Sequence, residues 1–259
     1  MNRVLSLQLQ LRLWLTFLKR SELGLRIRAG RARNAFIGQV AKTYDDNSAR
    51  TGLATLAANH ERRLRGILAD HYRKVILAAA KNARKQIKSA KGDRRFEIKQ
   101  SSTLFERLIE EWMQSQGLKR ARSIAETDRD AVLKAINEGL EEQEGTAAIS
   151  RRIRKASQLT PFRAAMIART ETHNAATFAS KESAADAERE LEVRLVKFWL
   201  PTRDDRTRPE HLAMTGHPPI PLDALFDVGG EPMDRPGDPA GSAENTIACR
   251  CALAYQEAE

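Results

Sequence analysis

The sequence predicts an α+β protein, with a mainly helical N-terminal part followed by a small C-terminal β-sheet and a Pro/Gly-rich irregular segment. Three observations carry this prediction. Roughly the first 190 residues place apolar side chains at three- and four-residue steps, the period of an amphipathic helix. Val193–Leu200 (VRLVKFWL) then switches to alternation and β-rich composition, as a strand requires. Beyond Pro201 lie seven of the nine prolines and five of the 14 glycines, and the chain ends in a second strand-like run, Thr246–Tyr255. A linker would not return to order in that way, so the irregular segment is expected to be folded.

The elements follow in order. Leucines at 5, 7, 9, 11, 13 and 15 alternate like a strand. Leu and Gln are nevertheless good helix formers, so a buried or partner-docking helix is expected over Val4–Leu18. This apolar stretch carries Arg12 and is shorter than the roughly 20 residues a membrane span needs, and it lacks the small-residue cleavage site of a secretory leader. Leu53–Lys91 holds no proline and one glycine. Leu64, Ile67, Leu68, Val75 and Ile76 give it a helical apolar face, with Gly92-Asp93 as its stop. Thr103–Gln116 reads as a helix with Leu104, Leu108, Ile109 and Trp112 inward and Gly117 at its C-terminal end. Asp128 is expected to cap a helix to Gln143, and Thr146 to cap Ala147–Ala156. Thr160-Pro161 opens a helix that runs to about Ala187.

Composition excludes several classes. With 30% charged, 41% hydrophobic and 5% aromatic residues, the chain is not membrane-spanning, collagen-like or a disulfide-stapled secreted domain. Its net charge is +10, unevenly held: residues 1–99 carry 23 Lys and Arg against seven Asp and Glu, and the remainder is acidic. This suggests a basic helical region over residues 1–120 and a second domain over 121–259. Arg62, Arg63, Lys81, Arg84, Lys85, Lys88, Lys91, Arg94 and Arg95 are its candidate contact residues. They suit sequence-blind neutralisation of phosphates on double-stranded DNA, and equally the acidic surface of a protein partner. Aromatic residues for base stacking are sparse and no recognition module is visible. The two cysteines, Cys249 and Cys251, cannot staple a chain of this length, which points to a reducing compartment and a local role.

Two polar constellations stand out: Ile167-Ala-Arg-Thr-Glu-Thr-His-Asn174 within the last helix, and Trp199-Leu-Pro-Thr-Arg-Asp-Asp-Arg-Thr-Arg-Pro-Glu-His211. The second is followed by Phe226, by Gly237-Asp-Pro and by Cys249-Arg-Cys251. By itself the first reads as a solvated helix face with ion pairs. In this order, over about Ile124–Tyr255, they resemble the Mu-F-like minor head protein, or head-morphogenesis, family of tailed bacteriophages. The chain departs from that pattern in two places. Arg208 and His211 stand where many relatives carry a Cys-x-x-Cys pair, and Ala248 precedes Cys249 where the family has Asn.

The resemblance implies a non-enzymatic, structural virion protein: a few copies in the capsid interior, associated with the portal and with packaged DNA, in capsid assembly, DNA packaging or ejection. Capsid or scaffolding proteins are further partners it implies, with the host cytoplasm as the site of assembly. A family-motif polar core of Arg169, Glu171, Asp204, Arg206, Arg208 and His211 is expected, with Arg206 or Arg208 paired to Glu171 or Asp204. Cys249 and Cys251, at i and i+2 of a strand, would face one side, so with His211, and Asp204 as a further candidate, they could hold a structural zinc ion. The alternatives are two small buried residues or a local disulfide. Two other functions are weaker: a sequence-nonspecific DNA-binding protein without a capsid role, and a metal-dependent nuclease using Asp204, Asp205, Glu210 and His211. Phosphate-loop, dinucleotide and serine-nucleophile motifs are absent from the sequence.

Overall fold

The computed structural model describes residues 2–45, 49–91 and 102–258. It is mainly helical up to residue 191. Helices α1 (Asn2–Asp45) and α2 (Ala49–Lys91) are followed by α3 (Ser102–Trp112), a π turn (Met113–Gly117) and α4 (Leu118–Glu141). Helix α5 (Thr146–Lys155) passes through a 3-10 turn (Ala156–Leu159) into α6 (Thr160–Leu191). The remainder is β1 (Leu195–Leu200), α7 (Pro209–Ala213), β2 (Ile220–Pro221), β3 (Phe226–Val228), β4 (Glu231–Met233), α8 (Ala243–Thr246) and β5 (Ala252–Glu257). No helix of the described residues is long and apolar enough to cross a membrane.

Helix wins over the alternating leucines in α1, whose Leu18 and Leu25 are buried while Leu9 and Leu13 stay exposed. Gly117 does not end its helix. The backbone widens into a π turn there and continues into α4, as a one-residue insertion does in an otherwise helical run. Leu104, Leu108 and Trp112 point inward as their spacing requires. Asp128 is not a cap either: it lies in the middle of α4 and is buried. Thr146 opens α5, but its N-cap is Gly145 and no side chain closes the cap. The expected stop at Gly92-Asp93 lies outside the described residues.

The chain divides into two compact units. Neither coincides with residues 1–120 or 121–259, because each takes chain from both sides of residue 120. One comprises residues 23–71 and 111–168. Its apolar core joins Phe36, Ile37, Val40 and Ala41 of α1 to Val132, Ala135 and Ile136 of α4 and Ile149 and Ile153 of α5. Gly139 lets α4 approach α5: a Cβ there would sit 2.7 Å from Ile149 Cγ1. A buried ionic cluster completes this unit. Asp128 accepts from Arg33 Nε (2.9 Å), Arg163 Nε (3.0 Å) and His60 Nε2 (3.0 Å), and Arg33 also donates to Thr160 Oγ1 and to the Ala156 carbonyl.

The other unit comprises residues 1–22, 72–110 and 169–259. Its sheet has the order β2-β1-β5, all antiparallel, with Leu195 opposite Glu257 and Leu200 opposite Ala252. Alternation in β1 puts Leu195, Lys197 and Trp199 inside, and the buried Lys197 ammonium is paired with Asp234. Pro221 is tolerated because β2 is an edge strand. A separate ribbon, β3–β4, turns through Gly229 and Gly230, both with positive φ (64° and 85°), the conformation a two-residue hairpin demands. The Pro/Gly-rich segment is thus folded, and its core draws together Ala83 and Ile87 of α2, Ala184 and Ala187 of α6, Trp199, Met214, Phe226, Met233, Cys249, Cys251 and Tyr255.

Candidate metal centre

His211, Cys249 and Cys251 come together in the second unit, all buried, with their ligand atoms within 4.8 Å of one another. Pro209 opens the short helix α7 at its first position, where a fixed φ suits the turn and no amide hydrogen is needed, and α7 carries His211 inward. The imidazole Nδ1 lies 3.4 Å from Cys251 Sγ and 3.6 Å from Cys249 Sγ. Its other nitrogen, Nε2, lies 3.3 Å from Asn245 Oδ1. The Asn245 amide is oriented in turn by donating from Nδ2 to the Val228 carbonyl. The indole of Trp199 stands edge-on to the ring at 5.5 Å and in turn against Phe226, closing that side with hydrocarbon.

Both cysteines are free thiols and precede β5 rather than lying within it. Their loop is irregular because Ala248 adopts φ 56°, which breaks the extended run expected over Thr246–Tyr255. Burial pushes the Cys249 thiol up, whereas the hydrogen bond from Cys249 and those with His211 hold Cys251 well below the usual thiol range.

Helix α6 fastens this loop from behind. Thr170 Oγ1 accepts from the Ala248 amide at 3.0 Å. His173 Nε2 donates to the Cys251 carbonyl at 2.8 Å, and complete burial lowers the His173 pKa, keeping the imidazole neutral. Beside it runs the Gly237-Asp-Pro turn. Gly237 has φ 73°, and a Cβ there would meet Asn174 Oδ1 at 2.2 Å and His173 Nδ1 at 2.8 Å, so both conformation and space demand glycine. The helix motif that reads as a solvated face is therefore buried from Thr170 to Ser180.

A second tie lies on the opposite flank. Asp204 takes a bidentate pair from Arg250, at 2.6 and 2.7 Å, and Thr202 Oγ1 donates to the Arg250 carbonyl. The Arg250 guanidinium holds the Asp204 carboxyl well below the usual range. Arg206, mostly exposed, reaches Asp204 only at 3.6 Å, and Arg208 donates instead to the Ile247 carbonyl. Glu171 accepts from Tyr72 Oη at 2.7 Å and Arg169 lies 3.9 Å from Glu22. The six expected polar residues thus do not form one cluster. Asp204 is committed to Arg250 and is not among the convergent donors, so it drops out of the ligand set. Sequence reasoning missed the partnerships of Arg250 and Asn245. Asp204 and Arg250 are 46 positions apart, and Asn245 is 34 from His211, with no local periodicity to join them.

The basic candidates are also redistributed. Arg62 and Arg63 are exposed in the first unit, and Lys85 is exposed in the second. Lys81 lies 5.9 Å over the Phe105 ring. Arg84, expected among the contact residues, is instead buried and paired with Asp186 and with Glu190 at 3.0 Å, because its helix face packs against α6. The side chains of Lys88 and Lys91, and residues Arg94 and Arg95, lie outside the described residues.

Residues 126–254, which hold the metal-ligand candidates and the ties around them, match the family model described as Phage Mu protein F like protein. Over 125 residues the chain is 35% identical to the minor head protein GP7 of Bacillus phage SPP1, a stretch that is 47% of this chain and 38% of that relative. The chain thus spans well under half the length of that curated relative. No solved structure matches it. Through residues 126–254, the chain belongs to the family of phage Mu protein F-like proteins.

Proposed function

We propose that this chain is a structural component of a bacteriophage head, acting as a minor head protein in head morphogenesis. The observation that carries the reading is the family match over residues 126–254 together with the similarity to a phage minor head protein. The arrangement of the site supports a non-catalytic role. Asp204 is neutralised by Arg250, and His173, Thr170 and Gly237 serve to hold the cysteine loop against α6. These are ties that shape a rigid surface.

Within the head, the portal is the proposed protein partner, with packaged double-stranded DNA as a sequence-blind second one. The charge of residues 1–99 supports both, since each cation set against a phosphate or an acidic surface releases counterions. The test is co-sedimentation of the intact protein with purified portal rings of the same phage, alongside an Arg62→Glu/Arg63→Glu/Lys85→Glu variant. Binding at a fixed ratio, weakened in the variant, is expected. Failure to bind portal, with strong salt-sensitive binding to DNA, would instead favour a DNA-binding protein without a capsid role.

A further inference from the structure

We propose that His211, Cys249 and Cys251 bind one zinc ion, which locks the loop between α8 and β5 onto α7. The argument rests on geometry. Zn–N and Zn–S bonds of about 2.0 and 2.3 Å at tetrahedral angles place nitrogen and sulfur ligands about 3.5 Å apart. The His211 Nδ1 to Sγ distances are 3.4 and 3.6 Å. Both nitrogen–sulfur separations are thus already those a tetrahedral zinc imposes, and the three ligand atoms all lie within 4.8 Å of one another.

The tautomer agrees. Asn245 Nδ2 donates to the Val228 carbonyl, which turns its Oδ1 toward His211 Nε2. Nε2 then carries the hydrogen, and Nδ1 presents its lone pair to both sulfurs. Two sulfurs converge on that one lone pair, and a cation between the three atoms uses all of them. A histidine ligand whose other nitrogen donates to a fixed oxygen acceptor is the usual arrangement around protein-bound zinc. Two thiolates and an imidazole select a borderline-soft ion and disfavour magnesium or calcium, which take oxygen ligands.

Binding releases to solvent the thiol protons that the cysteine pair holds and forms two Zn–S bonds and one Zn–N bond. The two thiolate charges then cancel those of the dication, and the neutral site suits a buried position. Among the described residues no fourth His, Cys, Asp or Glu joins the set, so these three side chains fill three of the four positions. The ion would bridge His211 to a loop 38–40 residues further on, across a segment rich in proline and glycine.

The test uses the full chain, purified without a polyhistidine tag under reducing conditions. Metal analysis should find one zinc per chain, and added cobalt(II) should give the ligand-field and sulfur charge-transfer bands of tetrahedral thiolate coordination. A Cys249→Ser/Cys251→Ser variant should lose both signals. Asn245→Ala should keep the ligands but lower zinc affinity by about 10- to 100-fold, because the imidazole is no longer oriented. Should the cysteine variant fail to fold, the wild-type stoichiometry and cobalt spectrum decide alone. Wild-type protein that carries no zinc and gives no cobalt spectrum would overturn the proposal, as would metal retained in the double variant or a Cys249–Cys251 disulfide in its place.

Discussion

Replacing Asp128 by alanine should destabilise the protein far more than an ordinary loss of one hydrogen-bonding side chain. Asp128 is 1% exposed and receives charge-assisted bonds from Arg33, Arg163 and His60; Arg33 itself is only 4% exposed. Removing the carboxylate leaves a buried guanidinium without its counter-charge, which typically costs about 3–5 kcal/mol. Replacing the pair by apolar groups, Arg33→Met/Asp128→Leu, removes both charges and should cost much less than the sum of the single changes, with a coupling of about 1–3 kcal/mol. Equilibrium urea unfolding followed by far-UV circular dichroism measures all members of the cycle. Asp128→Ala costing under about 1 kcal/mol, or single changes that simply add, would refute the reasoning.

The same cluster fixes a pH dependence. Burial alone would raise the Asp128 pKa, but the bond from His60 and the charge and bond of Arg33 outweigh it, and the folded value lies below 3.8. The unfolded state therefore takes up the proton first on acidification. The stabilisation is complete above the ordinary carboxylate range and is lost as pH falls through the depressed folded value. Asp128→Asn should flatten this acid limb.

Three other substitutions probe the cysteine loop. Ala248→Asn should raise stability by about 0.5–1 kcal/mol, since φ 56° is unfavourable for alanine and tolerated by asparagine; a lower melting temperature would contradict this. Gly237→Ala should cost more than about 2 kcal/mol, from a positive φ and a Cβ 2.2 Å from Asn174 Oδ1, and an unchanged melting temperature would remove the steric argument. Arg250→Lys should cost about 1 kcal/mol, because an ammonium cannot reproduce the bidentate pair with the partly buried Asp204. Indifference to this change in urea unfolding would show that charge alone suffices there.

Much of the fold was legible because helical periodicity is a local signal. Leu104, Leu108 and Trp112 declare their inward face, and Thr160-Pro161 declares the start of α6. Residues with two roles misled. Asp128 has the chemistry of a cap but is held mid-helix by hydrogen-bond donors from α1, α2 and α6, and Gly117 has the chemistry of a stop but sits in a π turn. The metal-ligand candidates were legible from residue type: His211, Cys249 and Cys251 do converge. What holds them was not. Asn245 and Arg250 act across gaps of more than 30 residues, and the His173–Cys251 tie depends on how α6 packs beneath the loop.

The most direct test of the head-protein reading is quantitative mass spectrometry of purified procapsids and mature particles of the phage that encodes this chain. The chain should be present in both, at a fixed low copy number per portal ring. Assembled, infectious particles that contain none of it would contradict the account.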